Sequence, residues 1–364
     1  MKPLGLETNS LNIRRTMMNK WYQKDSANYP GVIISSRVRL ARNISKYPFP
    51  NRLSLEQAGQ LISEIGQVFK TESVANTSFT LLHMENLPSI DKIAMMEQHT
   101  ISPEFINNSK PNGILLSEDD SISVMINEED HLRIQAMSFG SDLLTAFEKA
   151  NLIDDLIEKH LDYAYDKNLG YLTSCPTNVG TGLRASYMLH VPALEASGQL
   201  RIILDAIGKF GITFRGIYGE SSEPIGSVFQ MSNQITLGQN EKEIIDNLNS
   251  VTMQVVDQEL AVREKLMSEK RFEFEDSIYR SYGILKHARI LSSKEAMTLL
   301  SDIKLGMELG ILKTKQSGLN IFDLMTSIQP ANLQKLENKS LDITERDIAR
   351  ANYIRHMIPD IQGG

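Results

Sequence analysis

The stretch GVIISSRVRLARN, Gly31–Asn43, opens on the apolar run Val32-Ile33-Ile34 and closes on three arginines, Arg37, Arg39 and Arg42. Its β-branched start and alternating polarity predict a strand. Successive strand side chains point to opposite faces, so Arg37 and Arg39 share one face and Val38 takes the other. A chain whose formal net charge is -7 has no general reason to gather cations there. Either this is a strand end in solvent, or something strongly anionic binds beside it.

At 364 residues the chain exceeds the usual single-domain size, which favours two domains. With 41% hydrophobic and 23% charged residues it has the composition of an ordinary globular protein able to bury a full core. The acidic balance argues against general affinity for nucleic acid or a membrane surface, so any anion site must be local. Cys175 is the single cysteine, which rules out an internal disulfide and fits a reducing cytosol. The N-terminus lacks an apolar leader, and no run of about 18 apolar residues occurs. A cytoplasmic location is expected.

The first 30 residues are polar and read as a loosely attached arm. Ser54 and Gln57 stand in capping-box spacing ahead of a helical pattern in SLEQAGQLISEIGQVF. Strands are predicted at Phe79–Leu87, Gly113–Ser117, Ser121–Asn127, Leu132–Ser138, Gly170–Ser174, Ile212–Tyr218, Ser227–Met231 and Gln234–Leu237. Helices are predicted at Ser141–Leu161 and near Ala193–Lys209. From about Glu241 the pattern becomes purely helical, beginning with one long amphipathic helix. Further helices are predicted at Phe274–Ala288, Ser293–Leu309, Ile321–Gln329 and Ile343–Met357. The chain therefore divides into an arm (1–30), an α+β body (31–255) and an all-helical C-terminal domain (256–364).

Four segments of the body carry unusual chemistry: SSRVRLAR, INEEDHLRIQ, SCPTNVGTGLRAS and FRGIYGESSEPIGS. Taken singly, each has an ordinary reading. An arginine pair can be a solvated face, a lone cysteine a small core hydrophobe, adjacent acids a turn, and GTG a tight turn. Glu129 and Arg133 share a face if their segment is one strand, yet Asp130-His131 can equally bend it. The joint inventory shifts the balance: arginine recurs in all four, carboxylates in two and a thiol in one.

That inventory suits phosphoryl transfer, which is catalysed mainly by positioning and charge neutralisation. Arginine's planar fork binds phosphate oxygens bidentately and keeps its charge. Arg37, Arg39, Arg133, Arg184 and Arg215 together would form one wall of a triphosphate site. The glutamates and the thiol then need a cationic acceptor, and a guanidinium fits. Its nitrogen is a poor nucleophile, so a carboxylate must orient it and take a proton as the N–P bond forms. Glu129 is expected as the base, Glu220 as a second clamp, and Cys175 as a thiolate held ionised by nearby arginines.

At these residues the chain resembles, in order and spacing, the ATP:guanido phosphotransferases: SSRVRLAR, NEEDHLRI, CPTNVGTGLRAS, and RGIYGE followed by SN and LG. The likeness covers about residues 30 to 255. It implies an antiparallel sheet flanked by helices, with Mg-ATP (hence ATP and Mg2+) as donor and no protein residue ligating the metal. It assigns Ser35, Ser36, Arg37, Val38, Arg39, His99, Arg133, Arg184, Ala185, Ser186, Arg215, Gly216 and Gly219 to ATP. It assigns catalysis to Glu129, Glu220 and Cys175. Small-molecule guanidino kinases of the family carry a helical domain before the RVR segment, where only 30 residues stand here. They usually have another arginine at the place of Tyr218, and they lack the helical tail. The combination is similar to the bacterial members that phosphorylate arginine side chains of proteins and mark them for Clp-type proteolysis in stress. The resemblance also suggests a homodimer and an activator protein. The alternatives are a kinase for free arginine and a non-catalytic adaptor that binds phosphoarginine.

In the tail, DITERDIARANYIRHM starts with Asp342 and Glu345 in capping-box spacing. Arg346 and Arg350 then fall on one helical face with Asp347 beside them, which as it stands is a solvated charged face. RDIARA resembles the family's phosphoarginine-binding motif. That likeness assigns Arg346, Asp347, Arg350 and Ala351 to an allosteric site, the two arginines clasping the phosphoryl group while Asp347 pairs with the guanidinium.

Overall fold

A computed structural model describes residues 20–21, 31–72, 74, 77–216, 224–313 and 319–361. Its strands are β1 (Ile33–Arg42), β2 (Phe79–His83), β3 (Gly113–Ser117), β4 (Ile122–Ile126), β5 (Leu132–Phe139), the short pair β6 (Tyr165–Asp166) and β7 (Gly170–Tyr171), β8 (Leu183–His190), β9 (Ile212–Gly216) and β10 (Val228–Asn233). Eight of them form one antiparallel sheet in the order β2-β3-β4-β5-β1-β8-β10-β9. β1 lies between β5 and β8, so its arginines have arginine-bearing strands on both sides.

The helices are α1 (Leu55–Thr71), α2 (Ser89–Glu97), α3 (Pro103–Ile106), α4 (Leu143–Glu158), α5 (Pro192–Ala196), α6 (Leu200–Gly208), α7 (Glu241–Glu269), α8 (Arg271–His287), α9 (Ser293–Glu308), α10 (Ile321–Ser327), α11 (Pro330–Glu337) and α12 (Ile343–Met357). Both predicted capping boxes form, Ser54 with Gln57 and Asp342 with Glu345. Strand alternation sends Val38, Leu40, Ile134, Ala136, Leu183 and Ala185 to one face of the sheet. There they bury against Ala146, Ala150 and Ile153 of α4 and Leu248, Val251 and Val255 of α7. Full burial stabilises by about 1.5–3 kcal/mol for each large aliphatic side chain. The opposite face is left for polar residues.

A second core joins α8, α9, α10 and α12 through Leu285, Leu300, Phe322 and Ile354, together with the sheet residues Ile34, Met137 and Met188. Met137 shares a face with Arg133 and Gln135 along β5, so the helical tail packs on the arginine face, at its end. Trp21 is 3% exposed within this core, and its backbone N–H donates to Asp119 O at 3.2 Å.

The structure differs from the sequence reading in several elements. Leu183–His190 is a central strand with no counterpart among the predicted strands. Gln234–Leu237 is not a strand: Thr236 O accepts from Thr181 N, and the segment braces the Gly-rich loop instead. Gly198 (φ 71°) divides the predicted Ala193–Lys209 helix into α5 and α6. Helices α2, α3 and α11 had no counterpart in the reading. Residue 255 lies inside α7, which buries Val255, Val256 and Val262 in the first core.

Candidate active site

The polar face of the sheet floors a cleft of about 700 Å³. Arg37 and Arg39 of β1, Arg133 of β5, Arg184 of β8, and Arg215 and Gly216 of β9 line it, with His99, Glu129 and Cys175. Cross-strand register explains the convergence. Arg39 stands opposite Arg184 on one side and Gln135 on the other, and Arg215 stands opposite Gln230. Arg37 donates from Nε to Ser186 Oγ at 3.3 Å and from Nη2 to Gln230 Oε1 at 2.5 Å. Arg39 Nε is buried with no hydrogen-bond partner among the described residues. Burial, then the charge of Arg133, lowers Arg37 to about 10. Burial and the charges of Arg37, Arg133 and Arg184 push Arg39 well down. Cations packed this way repel one another, and a polyanion relieves that repulsion.

The segment between β4 and β5 bends. Asn127 takes a left-handed φ of 61°, its N–H reaches His131 O at 2.9 Å, and Glu128 N–H reaches Asp130 O at 3.1 Å. The three acids therefore do different work. Glu128 is buried, contacts Arg133 Nη1 directly and accepts from Ser102 Oγ at 2.5 Å. Burial would raise its carboxyl, but Arg133, Ser102 and the Glu129 N–H outweigh that and hold it low. Asp130 Oδ1 accepts from Asn43 Nδ2 and from Ser174 N, both at 2.6 Å, tying this turn to the cysteine loop. Glu129 is exposed at the cleft mouth, and partial burial, then Asp130 and Glu128, raise its carboxyl. His131 is buried and neutral: Nδ1 accepts from Ile44 N at 3.0 Å, which leaves Nε2–H to donate to Pro48 O at 3.0 Å. Burial lowers it to about 4.

Cys175 sits on the loop entering β8, half-buried, with Sγ 3.1 Å from Thr177 Oγ1. The same hydroxyl accepts from Arg184 Nη2 at 3.2 Å, and Arg184 Nε donates to Asn178 Oδ1 at 3.3 Å. Burial, then Arg215, lowers Arg184, while charge on Cys175 acts in the other direction. Gly182 lets this loop close on β1: its φ is 65°, and a Cβ there would stand 2.6 Å from Ala41 O.

Other expected residues lie elsewhere. Val38 and Ala185 point into the first core. Ser35 is buried at the β-bulge of β1, and Ser36 Oγ is engaged by Gly140 O at 2.6 Å and Asp142 N at 2.9 Å. Ser186 meets the cleft only through Arg37. Glu220 and Gly219 lie outside the described residues, as does Tyr218. The sequence reading missed Glu128, Gln135, Gln230, Thr177 and Asn178. Only Glu128 carried a signal, its place between Asn127 and Glu129, and it had been grouped with turn-forming acids.

In the tail, Arg350 is 1% exposed, donating from Nε to Ile328 O at 3.1 Å and from Nη1 to Leu291 O at 2.8 Å, and it pairs with Asp347. Arg346 is partly exposed, and its Nη1 reaches Leu341 O at 3.4 Å. Ala351 is buried in the second core. In this arrangement Arg350 is turned inward and Arg346 is the more exposed of the two arginines.

Among the described residues no helix is long and apolar enough to cross a membrane, and no cluster of His, Cys, Asp or Glu could hold a metal ion. An ATP-borne Mg2+ needs no such cage, because it keeps waters and phosphate oxygens as ligands.

Residues 60–262 match the family described as ATP:guanido phosphotransferase, C-terminal catalytic domain, and residues 271–363 match the protein-arginine kinase McsB C-terminal domain. The protein-arginine kinase of Caldanaerobacter subterraneus subsp. tengcongensis is 46% identical over 335 residues, 92% of this chain and 97% of that protein. That of Bacillus subtilis is 45% identical over 328 residues, 90% of each. Among solved structures, lombricine kinase shares the fold with a TM-score of 0.57 at 22% identity, over 70% of this chain and 76% of that one. The duplicated taurocyamine kinase from Schistosoma mansoni matches with a TM-score of 0.59 at 24% identity, over 71% of this chain. This chain spans 38% of that duplicated one.

Proposed function

The chain belongs to the ATP:guanido phosphotransferase family, and we propose that it moves the γ-phosphoryl group of ATP onto arginine side chains of proteins. One observation carries the reading: arginines from four strands meet in a single cleft whose lining also holds Glu129 and Cys175. Arg37, Arg39, Arg133, Arg184 and Arg215 hold the phosphates, and Arg39 Nε offers an open donor to them. Mg2+ enters as the Mg-ATP substrate and shields phosphate charge. Glu129 holds the acceptor guanidinium in line and takes its proton. As the N–P bond forms, the bond from the γ-phosphorus to the β,γ-bridging oxygen breaks, and ADP leaves. A carboxyl raised above its ordinary range is a stronger base for this task. Glu220 is the second clamp, and the Cys175 thiolate adds negative potential beside the acceptor.

Among the described residues the tail packs at one end of the arginine face, and Glu129 stays exposed at the cleft mouth, which is consistent with an acceptor carried on a protein. We place the junction between catalytic and helical domains near Lys270, where α7 ends and α8 begins. The reading extends to a phosphoarginine regulatory site at Arg346, Asp347, Arg350 and Ala351 and to a cytoplasmic homodimer. It also includes an activator protein, a role in stress, and delivery of marked proteins to a Clp-type protease.

The test is incubation with Mg-ATP and a protein acceptor, followed by mass spectrometry for acid-labile phosphoarginine. Phosphate on protein arginines supports the reading. Turnover of free arginine with none on protein defeats the acceptor assignment.

A further inference from the structure

Glu97, the last residue of α2, is 5% exposed although its carboxylate does not line the cleft. Both its oxygens accept from Ala331 N, at 2.9 and 3.1 Å, and Oε2 also accepts from Asn332 N at 2.8 Å and Asn332 Nδ2 at 2.9 Å. These are first-turn N–H groups of α11, which have no partners within their own helix, and they lie at the positive end of its dipole. Gln98 adds a bond from Nε2 to Asn332 Oδ1 at 2.7 Å. The body and the helical tail are thus fastened by a buried carboxylate clasp.

Two residues after Glu97 comes His99, whose φ of 59° is a left-handed conformation that costs a non-glycine residue of order 1 kcal/mol or more. Such a conformation persists only where its surroundings over-determine it. Here they do. The clasp holds the chain before it, Gln135 Nε2 donates to its carbonyl at 2.9 Å, and its ring stacks on Phe322 of α10 with centroids 6.5 Å apart and planes 10° apart. The ring lines the cleft beside Arg37. Burial, then Arg37, lowers it to about 3, so it presents a neutral surface among cations.

We propose that Glu97 is a positioning residue for the nucleotide site: its clasp on α11 and the Phe322 ring together hold His99 as a fixed wall of the cleft, so that the helical tail sets nucleotide affinity. This rests on the cleft being a nucleotide site, as proposed above. Direct titration with Mg-ATP, which requires no turnover, separates the two ideas. Glu97→Gln keeps the shape but turns one acceptor into a donor that faces N–H groups. Phe322→Leu removes the stacked ring without touching the clasp. Each variant is expected to raise Kd and KM for Mg-ATP about tenfold, the effect of losing one charge-assisted contact, with kcat little changed. Lys335→Ala breaks the ion pair to Asp91 between the same two helices and is expected to leave Kd as it was. If Glu97→Gln and Phe322→Leu lower the melting temperature while Kd stays at the wild-type value, the clasp is only an adhesive and the proposal falls. A wild-type chain that binds no Mg-ATP overturns the nucleotide reading first.

Discussion

Arg42 is bound at both ends of its fork by Asp154, Nε to Oδ1 at 3.0 Å and Nη2 to Oδ2 at 2.6 Å, while Nη1 is taken by Ala41 O and Thr181 O at 2.9 Å each. It lies three positions beyond Arg39 but is 2% exposed, and its charge is neutralised inside the fold. Of the three arginines in the opening stretch, two face the cleft and the third brings β1, α4 and the Gly180–Gly182 loop together.

Asp154→Ala should therefore act on stability. It leaves a buried guanidinium unpaired, and breaking such a pair from one side costs about 3–5 kcal/mol. The double variant Arg42→Met with Asp154→Leu removes both charges and should recover much of the loss. Denaturant midpoints measure both. A single variant as stable as the wild type would mean that water reaches Arg42 and screens it.

Arg39→Ala should behave in the opposite way. Its Nε has no hydrogen-bond partner among the described residues, and like charges on Arg37, Arg133 and Arg184 surround it. The variant should fold at least as stably, while kcat/KM for ATP falls by about 10²–10³, the usual loss for one charge-stabilising donor. Unchanged kcat/KM would remove Arg39 from the phosphate wall.

Glu129 works as a base only when ionised. Since burial, Asp130 and Glu128 raise its carboxyl, the acid limb of kcat/KM should lie above that of an ordinary carboxylate. Asp130→Asn removes one of the like charges. The bonds from Asn43 Nδ2 and Ser174 N both end on Oδ1, so an asparagine carbonyl can keep those two, and the Ser174 hydroxyl, which also bonds Asp130, can turn to either partner. The acid limb should then shift to lower pH with the loop intact. A profile that does not move would assign the limb to another group.

These contrasts show where the sequence was readable. The alternation that puts Arg37 and Arg39 together needs only a period of two, and the capping boxes at Ser54 and Asp342 need only four residues each; local rules suffice for both. The same period of two puts Arg42 on the face of Val38 and Leu40, but nothing local supplies the partner that lets a charge be buried there, because that partner is Asp154, 112 positions away in the chain. Strand β8 was hidden because Gly180 and Gly182 punctuate its start and its residues, buried on both faces, show no alternation. Glu97 carried no signal at all, since its role depends on α11 arriving from the far end of the chain. The arginines, Glu129 and Cys175 that line the cleft were legible because their chemistry is concentrated in short motifs, while the supports of the site are spread through the tertiary structure.

Cys175 offers a test of the electrostatics around the acceptor. Thiolates react with alkylating agents and thiols do not, and a neighbouring cation favours the thiolate. Arg184 and the Cys175 sulfur share one neighbour, Thr177 Oγ1. Iodoacetamide should label Cys175 faster in the wild type than in Arg184→Ala at neutral pH. Equal rates would show that Arg184 does not act on the thiol.

Arg346 and Arg350 occupy the same motif and should separate cleanly when each is replaced. Arg350 supplies donors to two buried carbonyls, Ile328 O and Leu291 O. Arg350→Ala leaves both unsatisfied beside a cavity, which should cost about 2–4 kcal/mol. Arg346 is partly exposed and makes one long bond to Leu341 O, so Arg346→Ala should leave stability within about 0.5 kcal/mol. With Arg350 turned inward, a phosphoryl group arriving at α12 meets Arg346 first. Titration with phosphoarginine should therefore show weakened binding in Arg346→Ala at full stability, and in Arg350→Ala only together with a lowered denaturation midpoint. If Arg346→Ala binds phosphoarginine as the wild type does, the ligand does not enter by this face of α12.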